Sequence, residues 1–104
     1  RAAHDDARLA IRNQELTVRA DVTAAYLALV AAYQTIGIQQ NNKAAAAEAL
    51  ELATQRYRVG SGTYIELLDA RVTAERADAD YVSAVYDYHR AIAALENAVG
   101  RPLR

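Results

Sequence analysis

Gln55-Arg56-Tyr57-Arg58-Val59-Gly60-Ser61-Gly62-Thr63-Tyr64-Ile65-Glu66-Leu67-Leu68-Asp69-Ala70 holds the only two glycines that lie close together in this chain of 104 residues. Gly60 suits the left-handed position that ends a helix, because a residue without a Cβ takes positive φ at little cost. Thr63, with Glu66 three residues on, has the pattern of a capping box, in which each side chain accepts from the other residue's free backbone N–H. The stretch therefore predicts a turn at about residues 59–63 between two helices. The second helix runs from about Tyr64 to Val99, and Gly100 with Pro102 stops it. The first runs back from Arg58 to about His4, with Asp5 and Asp6 suited to its first turn. The expected fold is all-α: one long antiparallel helical hairpin, a coiled-coil stave, spanning residues 1–104.

The apolar spacing agrees with two long helices. In the first, Val22, Tyr26, Leu29, Tyr33, Ile36, Gln40, Lys43, Ala47, Leu50, Thr54 and Tyr57 alternate in steps of four and three, which is heptad spacing. In the second, Leu67, Ala74, Tyr81, Tyr88 and Leu95 recur every seven residues. Ala70, Ala77, Ala84, Ala91 and Ala98 recur every seven beside them, so a neighbouring helix can approach closely. Tyr26, Tyr33, Tyr81 and Tyr88 fall on these seams and are expected in the core. The second helix also carries an outer stripe: Ile65, Leu68, Val72, Ala79, Val82 and Tyr86. A surface helix buries one stripe, so two stripes predict packing on two sides. Arg71/Glu75 and Arg76/Asp80 are candidate i,i+4 pairs worth ~0.3 kcal/mol each. Gly37, inside the first helix, costs ~1 kcal/mol relative to Ala, which a close helix crossing would explain.

The two helices differ in length, about 55 against 36 residues, or ~80 Å against ~54 Å. In an antiparallel hairpin Val99 lies near Thr23, so the first ~20 residues have no partner in the chain. Two helices also enclose little core. The overhang and the outer stripe together predict further helices on either side.

Composition narrows the function. Lys+Arg is 12 and Asp+Glu 13, a net charge of −1, which argues against a nucleic-acid partner. Cys, Trp, Phe and Met are absent, and all seven aromatics are Tyr. There is thus no disulfide framework and no Cys-based metal site or nucleophile. His4 and His89 are far apart and no Glu-x-x-His occurs, so no metal site is expected. The Gly60–Gly62 loop has no following Lys and no preceding strand, so it is no phosphate cradle. No Ser/His/Asp set is legible; the chain reads as a non-enzyme without a cofactor. The opening Arg1-Ala2-Ala3-His4 has neither Met nor an apolar leader, as in a mature or excised segment. Val22 to Asn42 is uncharged, but Thr23, Gln34, Thr35, Gln39, Gln40, Asn41 and Asn42 make it too polar for a lipid-facing span.

Three segments carry a family resemblance. The stretch Gln55 to Ala70 resembles the hairpin tip of TolC-type outer-membrane efflux proteins: an Arg-aromatic pair, a Gly turn, then an acidic-hydrophobic-Leu-Asp-Ala run. Tyr86-Asp87-Tyr88-His89-Arg90-Ala91, through Leu95 to Ala98-Val99-Gly100, resembles the close of the family's second helix. Ala24, Tyr26 and Leu29 match the small-aromatic-Leu register of its descending helix. Leu68-Asp69-Ala70 and Tyr86-Asp87-Tyr88 resemble the second of the family's two internal repeats.

The resemblance implies a homotrimeric duct in the outer membrane of a Gram-negative bacterium, with this segment in the periplasm. Each protomer would supply β-strands to a membrane barrel and four helical strands to a twelve-membered α-barrel. The duct would export drugs, metals or secreted proteins, working with a periplasmic adaptor and an inner-membrane pump. By the same resemblance Val59, Gly60 and Ser61 would contact the adaptor's hairpin tip; many members have Leu where this chain has Ser61. Glu66 and Asp69 match the acidic residues that ring the periplasmic mouth. Both also suit a helix first turn, where they cap and offset the dipole. Tyr57 matches a tyrosine that ties neighbouring hairpins together in some members, while Gly62 stands where its arginine partner would be.

Two rivals remain at this stage. The hairpin of a periplasmic adaptor has similar composition and a similar turn. A signalling coiled coil would bury one seam only and leave the outer stripe without purpose.

Overall fold

A computed structural model describes residues 2–100, which form helix α1, Ala2–Arg58, and helix α2, Tyr64–Val99. The two pack antiparallel into a rod of 88 × 24 × 14 Å. The all-α hairpin expected from the turn is thus the observed fold. Pro102, expected to help stop α2, lies outside the described residues. Gly100 caps the helix in the left-handed region at φ 74°, its N–H donating to the Glu96 carbonyl at 2.9 Å.

Cross-hairpin contacts set the register. The rings of Tyr57 and Tyr64 meet with centroids 5.7 Å apart. Further up, the Lys43 ammonium lies 4.9 Å from the centre of the Tyr81 ring, and the Tyr33 and Tyr88 rings are 5.9 Å apart. Carried on, this register brings Val99 beside Thr23. Everything before it in α1 has no α2 neighbour, and Leu9, Ile11, Leu16 and Val18 are all exposed.

The seam of α2 follows its heptads: Leu67, Ala77, Ala84 and Leu95 are buried, with Ala70, Ala74, Tyr81, Tyr88, Ala91 and Ala98 partly so. The seam of α1 departs from expectation at every second position. Val22, Leu29, Ile36 and Leu50 face α2 as expected, while Lys43 and Tyr57 of the same set are exposed and meet α2 at Tyr81 and Tyr64. The residues between them are Ala25, Ala32, Gln39, Ala46 and Ala53, each one place before the expected Tyr26, Tyr33, Gln40, Ala47 and Thr54. Of the displaced set only Thr54 remains partly buried. Tyr26 and Tyr33 are 56% and 66% exposed, so they are not core residues of this hairpin.

The physical reason is steric. Ala25, Ala32, Ala46 and Ala53 share one heptad register, with Gln39 completing it, and they face the alanine register of α2. Small side chains on both helices allow axes to approach toward the near end of the usual ~8–10 Å range. A tyrosine at those positions would force them apart. The tyrosines step onto the flank instead, where Tyr33 still reaches Tyr88.

Two smaller expectations are not met within the hairpin. A Cβ built on Gly37 would meet nothing within 4 Å, so α2 is not the helix that crosses closely there. Among the described residues neither Arg71–Glu75 nor Arg76–Asp80 closes into an ion pair. Exposed pairs of this kind gain little over solvated charges.

The outer stripe is uncovered. Ile65, Val72 and Val82 are 77%, 50% and 65% exposed, and Leu68, Tyr86 and, on α1, Leu27, Ile38 and Leu52 are exposed with them. One 18-residue window of α1, with mean hydropathy 1.3, is long and apolar enough to cross a membrane by length and composition, and none of it is fully buried.

Candidate functional site

The tip is built by two interlocking caps. At the end of α1, the Ser61 N–H donates to the Arg56 carbonyl at 2.9 Å and the Gly60 N–H to the Tyr57 carbonyl at 3.2 Å. That pair of bonds is a Schellman closure, and it requires Gly60 at φ 81°. The Arg56 carbonyl also accepts from the Gly62 N–H at 3.0 Å and from the Ser61 hydroxyl at 3.3 Å. At the start of α2, the Thr63 hydroxyl accepts from the Glu66 N–H at 3.1 Å. The Thr63 N–H donates back to Glu66 Oε2 at 3.4 Å, completing the capping box.

Each residue singled out from the sequence can now be placed. Val59 stands at the apex, 78% exposed. Gly60 supplies the turn, and Ser61 is held by its backbone and hydroxyl bonds to Arg56. Tyr57 lies across the turn against Tyr64, both half exposed. Glu66 is in the first turn of α2, and Asp69 follows one turn on, exposed. The tip therefore gathers an apolar apex, an aromatic pair and two carboxylates within a few residues. Among the described residues no group of three or more His, Cys, Asp or Glu side chains gathers as a metal site would need.

One residue of the tip enters the sequence reading only as part of the family motif, without a role of its own. The Arg56 guanidinium lies 3.7 Å from Glu66 Oε2 and donates to the Ser61 carbonyl at 3.4 Å. A signal for it existed. With Tyr57 and Leu67 on the seam, Arg56 and Glu66 occupy the same flank of the antiparallel pair, where charged residues of facing helices meet.

The capping box is expected to carry measurable stability. Thr63→Ala removes a hydroxyl acceptor and leaves the Glu66 N–H without its cap. The loss should be ~1 kcal/mol, read as a lowered urea midpoint in far-UV circular dichroism. Thr63→Ser should restore it.

Among the described residues the hairpin carries a second apolar stripe that nothing in the chain covers, a surface suited to further helices. The family comparison agrees. The family model described as "Outer membrane efflux protein" matches residues 1–101, and the chain belongs to that family. No curated protein and no solved structure gives a significant match. The family is one of channels and transport rather than of enzymes, so the chain is a component of an outer-membrane efflux channel. The match also favours the channel over the adaptor hairpin and the signalling coiled coil.

Proposed function

We propose that this hairpin is a stave of the periplasmic tunnel of a homotrimeric, TolC-like duct that works within a tripartite efflux or type I secretion machine. The outer stripe of α2 carries the reading. On a helical wheel the midline of this stripe lies about 150° from that of the seam toward α1. A helix with neighbours on two sides at less than a straight angle belongs to a curved wall, which fits the twelve-membered α-barrel that the family resemblance implies. A dimeric coiled coil has no use for a second stripe, and a flat helical layer would set it directly opposite the first. The unpaired N-terminal part of α1 supports the same reading, because the exposed Leu9 and Leu16 lie on one face and Ile11 and Val18 on another.

Membrane crossing then belongs to β-strands elsewhere in the protomer, and the uncovered apolar surface of α1 meets neighbouring helices. Val59, Gly60 and Ser61 form the surface that meets the adaptor's hairpin tips. Ser61 makes it more polar than a Leu would. Tyr57 contacts the neighbouring hairpin without an arginine partner, since Gly62 occupies that place. Glu66 and Asp69 stand at the periplasmic mouth, three residues apart and so on one helix face. Passage is passive, opening comes from separation of the hairpin tips, and the inner-membrane pump supplies the energy.

The full-length channel reconstituted in planar bilayers tests this. Discrete pores are expected. Val59→Asp should leave their conductance unchanged yet abolish binding of purified adaptor, because it sets a carboxylate on the exposed apex. Absence of pores removes the duct; retained adaptor binding moves the contact off Val59.

A further inference from the structure

Arg56 has no role in the channel reading, yet the tip is built around it. Its guanidinium crosses the turn to within 3.7 Å of Glu66 Oε2. Gly62 leaves the room for this: a Cβ there would lie 3.1 Å from Arg56 Cβ and 3.2 Å from Glu66 Oε2. The Thr63 N–H holds the same carboxylate oxygen from the other side at 3.4 Å. The Schellman bonds fix the backbone from which the Arg56 side chain starts, and the Ser61 carbonyl accepts from its guanidinium at 3.4 Å. Asp69 differs. It is exposed, and among the described residues it has neither an ion pair nor a hydrogen bond from its carboxylate. The other tip cations, Arg58 and Arg71, are exposed and close no ion pair among the described residues.

The two tip carboxylates are thus electrostatically unequal. Opposite charges this close act at a distance as a dipole, whose field decays faster than that of a single charge. Screening over ~8–10 Å removes most of the remainder. The pair is half exposed on both sides and adds little stability. Cancellation of its field needs only proximity.

We propose that Arg56 withdraws the charge of Glu66 from the channel mouth, so that Asp69 alone sets the mouth's preference for cations. The proposal rests on the reading of this hairpin as a channel stave. In a threefold mouth it leaves one ring of unpaired carboxylates rather than two stacked rings. Arg56 is then a positioning residue: it tunes permeation through Glu66 and meets no permeating ion itself.

The test is the reversal potential of the full-length channel in a planar bilayer under a KCl gradient, which gives the potassium-to-chloride permeability ratio. Asp69→Asn should lower the ratio about fivefold. The charge-neutral double substitution Arg56→Gln/Glu66→Gln should leave it unchanged. Arg56→Gln alone should raise it, because Glu66 is released. A double variant whose ratio falls as far as that of Asp69→Asn overturns the proposal, as does an Arg56→Gln variant that leaves the ratio at its original value. If the double variant forms no pores, Arg56→Lys, which keeps a cation beside Glu66 and leaves the capping box intact, should hold the ratio at its original value; a ratio raised as far as in Arg56→Gln counts against the proposal. Absence of pores from the unsubstituted protein defeats the channel reading itself, a result distinct from all of these.

Discussion

Ile65→Asp, Val72→Asp and Val82→Asp, introduced together, should leave the 104-residue chain helical and abolish assembly of the full-length channel. Within the hairpin these side chains face solvent, and substitutions at such sites usually stay within ~0.5 kcal/mol. Against a neighbouring helix each change forfeits about 1.5–3 kcal/mol of apolar burial. Each also places an unpaired carboxylate where water is excluded, which costs more still. Repeated around a closed wall, the loss far exceeds the marginal stability of any domain. Size-exclusion chromatography of the detergent-extracted protein reads the result directly. Trimers that survive the triple substitution would mean that the stripe faces open water, and the curved-wall geometry would lose its support.

Ala77→Leu and Ala84→Leu should have the opposite distribution of effects, damaging the hairpin itself. Both residues are buried against α1, opposite the register of Ala25, Ala32, Ala46 and Ala53 with Gln39. Three added carbons at either site must push the axes apart or twist rotamers, at about 1–3 kcal/mol each. For a chain of this size that is a fall of roughly 10 °C in thermal midpoint per site. Ala79→Leu, on the exposed outer stripe, is the control and should leave the midpoint of the isolated chain unchanged. Equal midpoints for all three variants would show that the helices do not meet on their alanines.

The contrast between these experiments marks what could be read from the residues alone. The turn was legible because its demands are local: Gly60 needs positive φ, and Thr63 and Glu66 satisfy each other within one turn. The seam of α2 was legible because its two registers agree with each other. In α1 the tyrosines at 26 and 33 are the largest apolar-bodied residues in their heptads, so size alone assigns them to the core. What decides the matter is the partner. An alanine face on α2 selects an alanine face on α1, and that selection is visible only when both helices are considered together. Arg56 escaped for a related reason. Its partner lies across the turn rather than one helical turn away, and the room for their meeting comes from a third residue, Gly62, whose missing Cβ looks like mere turn chemistry. The contacts proposed for Val59, Ser61, Tyr57 and Asp69 depend on surfaces that lie outside this chain.

The doubly capped turn at residues 59–63 also dictates an order of events in time. Closing so short a loop costs less chain entropy than the cross-hairpin contacts further up, and the caps hold it shut once formed. Pairing then spreads outward from Tyr57–Tyr64, through Lys43–Tyr81, to Tyr33–Tyr88, each step needing only a small addition to the loop already closed. Folding of this kind is a zipper with a fixed starting point. The tip is complete first, and the stretch of α1 before Thr23, which has no α2 neighbour, is left for last. An interrupted or shortened hairpin would therefore still present a finished tip.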